Sequence, residues 1–176
     1  MNAPVLETDR LILRPHGVQD FEALAALWSD PQVVRHITGT PSSREASWSR
    51  LLRYIGHWQA LGYGYWAVTL RETGHYLGDV GFADFHREVV PPLDGVPEAG
   101  WVIAPAVQGR GLATEAVARM HRWAETETRW ARSCCLIDPA QAISRKLALG
   151  QGYVAEEVPV SCAGRPSLRL IRRFDR

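Results

Sequence analysis

The chain has 176 residues, 46% of them apolar, with a formal net charge of +1 at pH 7. These figures suit one domain of ordinary size with a real core, and they exclude a large nucleic-acid-binding surface. No apolar run approaches the length of a membrane span, and the start lacks a charged-then-apolar export pattern; the three cysteines, two of them adjacent (Cys134, Cys135), make no disulfide framework, so a reducing cytoplasm is expected.

Residues 8–15 alternate apolar and polar side chains as a strand does. Phe21, Leu24, Ala25 and Trp28 repeat at helical spacing, and Asp30-Pro31 stops that helix. Ser42-x-x-Glu45 reads as a capping box. It opens a helix with Trp48, Leu51, Leu52, Ile55 and Trp58 inward, ended by Gly62. Residues 65–71 and 75–85 read as two strands around a turn at 72–74, and 89–97 as a proline-bearing loop. A strand at 98–104 ends at Pro105. Residues 112–128 form a helix with Ala116, Val117, Met120 and Ala124 inward and His121 and Arg122 toward solvent. A strand at 132–137, a helix at 141–150 and strands at 153–158 and 167–173 complete the order. Arg169, Arg172, Arg173 and Arg176 read as a solvated edge strand guarded by charge, with an anion or RNA contact as the alternative. With no repeats or linkers, residues 1–176 are expected to form a single domain. Its class is α/β with a mixed, mostly antiparallel sheet, in which the helix-flanked strands at 98–104 and 132–137 run parallel.

The run Gln108-Gly109-Arg110-Gly111-Leu112-Ala113-Thr114 carries the most chemistry. Small residues at 109, 111 and 113 let the backbone turn tightly just where a helix begins, leaving N–H groups that can grip a phosphate or pyrophosphate. A Walker loop would need Lys-Ser or Lys-Thr after its last glycine, and there is none. A dinucleotide fingerprint would need a small residue at Thr114 and an acidic residue about 20 positions on, closer than Asp138. The third template is the Gln/Arg-x-x-Gly-x-Gly/Ala signature of the GNAT N-acetyltransferases, and Gln108, Gly111 and Ala113 fill it.

The chain resembles the RimJ/RimL-like branch of that superfamily along nearly its whole length. Residues 6–14 (LETDRLILR) resemble its first strand, and 28–33 (WSDPQV) the end of its first helix. Residues 77–81 (LGDVG) resemble its central hairpin strand, 98–116 its CoA segment, and 144–153 its last helix with the Gly-Tyr that follows. The resemblance implies a GNAT acyl-CoA N-acyltransferase fold with two splayed parallel central strands. It implies acetyl-CoA as cosubstrate. No metal is expected, since the six histidines show no metal spacing.

It also implies site residues. Backbone N–H groups of Gly109, Arg110, Gly111, Leu112, Ala113 and Thr114 are expected on the pyrophosphate, and main-chain groups of Trp101, Val102 and Ile103 on the pantetheine arm. Arg110 either adds a charge-assisted contact or is a solvated loop arginine. Gln141 stands where the family usually has an asparagine touching that arm. Ser144 matches the family serine near the CoA sulfur; the alternative is a helix serine bonded to a neighbouring carbonyl. Ala148 stands where many members carry a tyrosine acid, and Cys134 or Cys135 is either an alternative thiol donor or simple packing. Glu98 is the expected base, acting through water, at a position that is acidic in RimJ/RimL-like enzymes. The expected acceptor is a primary amine, with a protein N-terminus preferred; a homodimer is left open. The rivals are a small-molecule amine or antibiotic acceptor, a non-catalytic acyl-CoA-binding module, and a nucleotide-binding domain that reuses the glycine turn.

Overall fold

Leu11 and Leu13 are fully buried while Ile12 and Arg14 are half-buried, the two-residue period of a strand lying on a core. The structure, a computed structural model, describes residues 3–174. Its strands are β1 (Leu6–Glu7), β2 (Leu11–Arg14), β3 (Tyr65–Leu70), β4 (Tyr76–Ala83), β5 (Val89–Val90), β6 (Glu98–Ile103), β7 (Arg132–Ile137), β8 (Val154–Ala155), β9 (Val160–Cys162) and β10 (Arg165–Arg173). The α-helices are α1 (Phe21–Ser29), α2 (Pro31–Val34), α3 (Arg44–Leu61), α4 (Leu112–Glu127) and α5 (Ala142–Gly150). The chain divides into two units. One takes residues up to Gly81 together with Trp101–Met120; the other takes Phe82–Gly100 together with residues from His121 onward.

In the first unit the strand order is β1-β2-β3-β4, followed by the Trp101–Ile103 part of β6. The pairs β1/β2, β2/β3 and β3/β4 are antiparallel. The single strand expected over 8–15 is instead part of a hairpin. Thr8 N–H donates to the Leu11 carbonyl (3.0 Å) and Leu11 N–H donates to Thr8 Oγ1 (2.9 Å), so the chain turns between β1 and β2. β4 carries a bulge: Val68 pairs with Gly78 and Thr69 with Tyr76, which skips Leu77. The freed Leu77 carbonyl accepts the Ala104 N–H at 2.8 Å. Gly78 lies at φ +152°, and a Cβ there would come within 2.0 Å of the Val102 carbonyl oxygen, so only glycine lets β4 lie this close to β6.

Helix α3 buries Ser47, Leu51, Tyr54 and Trp58. The predicted stripe was turned slightly: Trp48 is 39% exposed, and Leu52 is exposed as well. The inward face is set by Tyr54, stacked on Tyr65 at 4.6 Å, and by Trp58, edge-on to Trp66 at 4.7 Å. Trp48 meets Phe21 instead. The cap also moves by one residue. Ser43 accepts the Ala46 N–H (3.1 Å), while Ser42 donates its own N–H to the Trp28 carbonyl (2.9 Å).

In the second unit β10 pairs with β7 along one side and with β8 and β9 along the other, so it is not the edge strand expected. Two of the arginines in that cluster are engaged. Arg169 pairs with Glu156 and donates to the Pro91 and Pro92 carbonyls, and Arg172 meets Glu125 at 2.5 Å. Arg176 lies outside the described residues. β5 and β9 occupy residues in which no strand was expected, and the strand expected at 153–158 shrinks to β8. Glu98 pairs with Cys134 in the parallel sense, and Cys134 N–H donates to the Pro97 carbonyl at 3.0 Å. Of the inward residues expected in α4, Ala116, Val117 and Met120 of the first unit and Ala124 of the second are all buried. So is His121, against expectation. Its Nε2 meets the Tyr153 hydroxyl at 2.8 Å, which meets Ser133 Oγ at 2.8 Å, so a ring nitrogen that would demand water is satisfied inside. No described helix is long and apolar enough to cross a membrane.

Candidate functional site

In the first unit, the segment after β6 makes a short 3-10 turn at Pro105–Val107 and then runs through the glycines into α4. Gly109 and Gly111 have φ +76° and +74°. A side chain at either position would cost about 1–2 kcal/mol in backbone strain alone. The consequence is chemical. The N–H groups of residues 109–114 donate to no acceptor among the described residues, and the first helical bond of α4 runs from Glu115 N–H to the Gly111 carbonyl (3.0 Å). Six successive donors therefore stand open at the positive end of a 16-residue helix. Leu112 is buried and pins the loop from below, while Gln108, Gly109, Arg110, Gly111 and Thr114 are exposed and Ala113 is half-buried.

One feature of this loop had no local signal in the sequence. Arg10, in the turn before β2, grips it from the side. Its backbone N–H and Nε donate to Glu115 Oε1 (3.0 Å) and Oε2 (2.7 Å), and its Nη1 donates to the Arg110 carbonyl (2.9 Å). Turning that carbonyl toward Arg10 fixes the peptide between the two glycines. The partners lie 105 residues apart in the chain, so only the fold brings them together. In the same unit Trp101 and Ile103 are half-buried and Val102 is buried, its carbonyl against Gly78.

The remaining expected residues belong to the second unit. Glu98 is 6% exposed, and Arg87 Nε donates to its Oε2 at 2.9 Å. Burial pushes the Glu98 carboxyl above its ordinary value, with a smaller push from Asp84, against the pull of Arg87. Gln141 caps α5 with its side-chain amide unengaged, and its N–H donates to the Asp138 carbonyl. Ser144 sits half-buried in the first turn of α5. Its hydroxyl makes no hydrogen bond among the described residues, in contrast to Ser29, which donates to the Ala26 carbonyl at 3.0 Å. The back-bonded helix serine is therefore not what is found.

Cys134 and Cys135 are fully buried, and burial pushes the Cys134 thiol up to about 12. Passing a proton from it to an ordinary thiolate, with a pKa of about 8.5, runs uphill, so packing accounts for both cysteines. Among the described residues no cluster of His, Cys, Asp or Glu is placed to hold a metal ion.

Residues 10–154 match the family model described as an acetyltransferase (GNAT) domain. The uncharacterized N-acetyltransferase YoaA of Bacillus subtilis is 28% identical over 159 residues, spanning 88% of this chain and 85% of that one. A solved structure from Bordetella pertussis, assigned to the GnaT family of acetyltransferases, superposes with a TM-score of 0.84 at 29% identity, covering 97% of this chain and 99% of that chain. RimL, a ribosomal L7/L12 alpha-N-protein acetyltransferase solved in complex with coenzyme A, shares the fold at 14% identity, with a TM-score of 0.78 over 98% of this chain and 99% of its own.

Proposed function

The chain belongs to the GNAT acetyltransferase family, and from that premise we propose that it transfers acetyl from acetyl-CoA to a primary amine, preferentially the α-amine of a protein N-terminus. The observation that carries this reading is the row of open N–H groups at residues 109–114, held by two left-handed glycines at the start of α4. Those donors fit a pyrophosphate, which has oxygens for several of them at once. Arg110, exposed and unpaired among the described residues, adds positive charge to the same loop. The backbone of Trp101, Val102 and Ile103 holds the pantetheine arm, with Gln141 supplying an amide to it.

Acetyl-CoA supplies an acetyl group already activated as a thioester. The chain must hold it, take a proton from the amine and stabilise the departing sulfur. An α-amine has a pKa of about 8, so mild base assistance suffices and alignment carries much of the acceleration. Glu98 is the proton acceptor, acting through water. Its burial makes it a stronger base than an ordinary carboxylate, and Arg87 holds part of that rise back. The unengaged Ser144 hydroxyl donates to the leaving sulfur. The preference for a protein amine is supported by fold likeness to RimL and by the lack of an acidic cluster suited to a polycationic antibiotic.

Melting the protein with acetyl-CoA, ATP or NAD tests the ligand. At 100 times its dissociation constant a ligand adds about 2.7 kcal/mol, roughly 5–10 °C for a chain of this size. Acetyl-CoA alone should produce that shift, and peptides with free N-termini should then gain 42 mass units, about the mass an acetyl group adds. A shift with ATP or NAD instead would point to a nucleotide-binding domain. Binding without turnover would identify a silent module, and acetylation of small amines but not peptides would replace the acceptor.

A further inference from the structure

In the first unit, Arg14 is held by Asp20, Arg44 by Glu22 and Arg71 by Glu7. Arg50, on α3, is more deeply placed than the exposed arginines and yet has no carboxylate partner. Its guanidinium carbon lies 3.6 Å from the centroid of the Trp28 ring. Its one hydrogen bond among the described residues runs from Nη1 to Ser42 Oγ at 3.3 Å. A guanidinium has five N–H donors, so most of its capacity is unused. None of its nitrogens is among the buried atoms left without a partner, which means the free donors reach solvent.

The platform beneath it is rigid. Trp28 Nε1 donates to Asp79 Oδ2 at 3.1 Å. The same carboxylate accepts the Tyr76 hydroxyl and meets His16 Nε2 at 2.7 Å, and Asp79 is fully buried. Asp79 directly follows Gly78, whose backbone lies against the Val102 carbonyl, part of the segment proposed to hold the pantetheine arm. A planar cation fixed flat on an indole, with its donors facing outward, is suited to a planar two-oxygen anion. We take that anion to be a carboxylate, whose two coplanar oxygens match the planar fork of the guanidinium.

We infer that Arg50, laid on Trp28, is a carboxylate-binding subsite for the acceptor, so that the amine this enzyme acetylates carries a carboxylate close by. The inference rests on the amine-acetyltransferase reading above. The carboxylate has two sources: the α-carboxylate of a free amino acid, or an acidic side chain beside a peptide N-terminus.

The test measures kcat/KM with acetyl-CoA for two matched pairs, alanine against alaninamide and a peptide beginning Ala-Glu against one beginning Ala-Gln. Wild-type enzyme should favour the carboxylate member of one pair by about tenfold or more, chiefly through KM, and the pair that shows the preference identifies the source. Arg50→Gln should bring that ratio to within about twofold of one, and Arg50→Lys, which keeps charge without the planar fork, should fall between. Melting curves and acetyl-CoA affinity check that each variant is folded. The subsite is overturned if the wild-type protein shows no preference in either pair, if Arg50→Gln lowers both members equally while still folded, or if acetyl-CoA binds and neither carboxylate-bearing acceptor turns over. Failure of wild-type protein to bind acetyl-CoA at all would instead bring down the acetyltransferase reading.

Discussion

Replacing Arg10 by alanine should weaken coenzyme A binding far more than it weakens the fold. The substitution removes the Nε–Oε2 and Nη2–Oε2 contacts with Glu115 (2.7 and 2.6 Å) and the bond to the Arg110 carbonyl (2.9 Å), but leaves the backbone N–H of residue 10 on Glu115. The side chains of Arg10 and Glu115 are 49% and 19% exposed, so solvent screens the pair. It contributes about 0.2–1 kcal/mol to stability, or at most about 4 °C in Tm. Binding is a different matter. Without the tether, the peptide between Gly109 and Gly111 must be ordered when the ligand arrives, at about 1–2 kcal/mol for one residue, and Kd should rise about 5- to 30-fold. Titration calorimetry with coenzyme A on Arg10→Ala, Glu115→Ala and the double variant provides the cycle, and the two losses should not add. The hydrogen bonds from Thr8 and Arg10 outweigh burial and hold the Glu115 carboxyl below its ordinary value. A lowered native value means the tether is present above the unfolded value and is lost as pH falls through the native one, so affinity should be flat near neutrality and fall only in acid. A Kd within twofold of wild type in Arg10→Ala would refute the positioning argument, whatever happened to Tm.

Gly109→Ala should cost about 1–2 kcal/mol through its left-handed φ, since a Cβ there meets nothing within 4 Å. Gly62, equally open at φ +75° at the end of α3, supplies the control: Gly62→Ala should lose similar stability in urea and keep its affinity for coenzyme A, whereas Gly109→Ala should lose both. Glu98→Gln should remove the acidic limb of the kcat/KM profile, which in wild type should lie above the ordinary carboxylate range because of burial. The same group has a stability signature. With its native value raised, its contribution is full below the unfolded value and is lost as pH rises through the native one, a step that Glu98→Gln should lack; an unchanged rate profile would remove Glu98 as the base. Asp79→Asn places an amide N–H₂ against donors from His16, Trp28 and Tyr76 in a fully buried site, and should cost about 3–5 kcal/mol in urea unfolding at unchanged m. A loss under about 1 kcal/mol would show that this network rearranges freely.

The glycine turn was legible because its chemistry is local. Positive φ at 109 and 111 demands glycine, and the helix that follows leaves its first N–H groups open, all within seven residues of chain. The helix faces of α1 and α4 were legible for the same reason, since a 3.6-residue period is local information. What escaped depends on partners far away in sequence. Arg10 is an ordinary polar strand-end residue until Glu115 meets it. His121 lies on the polar side of α4 by composition, and the Tyr153 hydroxyl that meets its ring inside comes from 32 residues further along the chain. The misjudged face of α3 follows the same logic: Tyr54 carries a polar hydroxyl and reads as neutral, but its ring stacks on Tyr65 and draws that side inward, leaving Leu52 exposed. β10 reads as an edge because its arginines look solvated, and the groups that hold Arg169 and Arg172, on Glu156, Pro91, Pro92 and Glu125, are brought to it only by the fold.

The same contrast separates the proposed coenzyme site, whose signature is local, from the proposed acceptor subsite, whose parts are not. A pyrophosphate is bound by backbone, so its signature is conformational and compresses into a few small residues. The proposed acceptor subsite draws on side chains from separate elements, and Asp79 holds the indole beneath Arg50. A buried carboxylate is a poor way to gain stability, since apolar residues of similar volume commonly do as well or better. Asp79 does what they cannot: it engages an indole from α1, an imidazole from the segment after β2 and a phenol from β4 at once. Holding Trp28 in one orientation is what gives Arg50 a fixed surface to lie on. A buried carboxylate that apolar residues of similar volume could commonly replace, and whose partners lead within two contacts to a guanidinium open to solvent, points to recognition as well as folding.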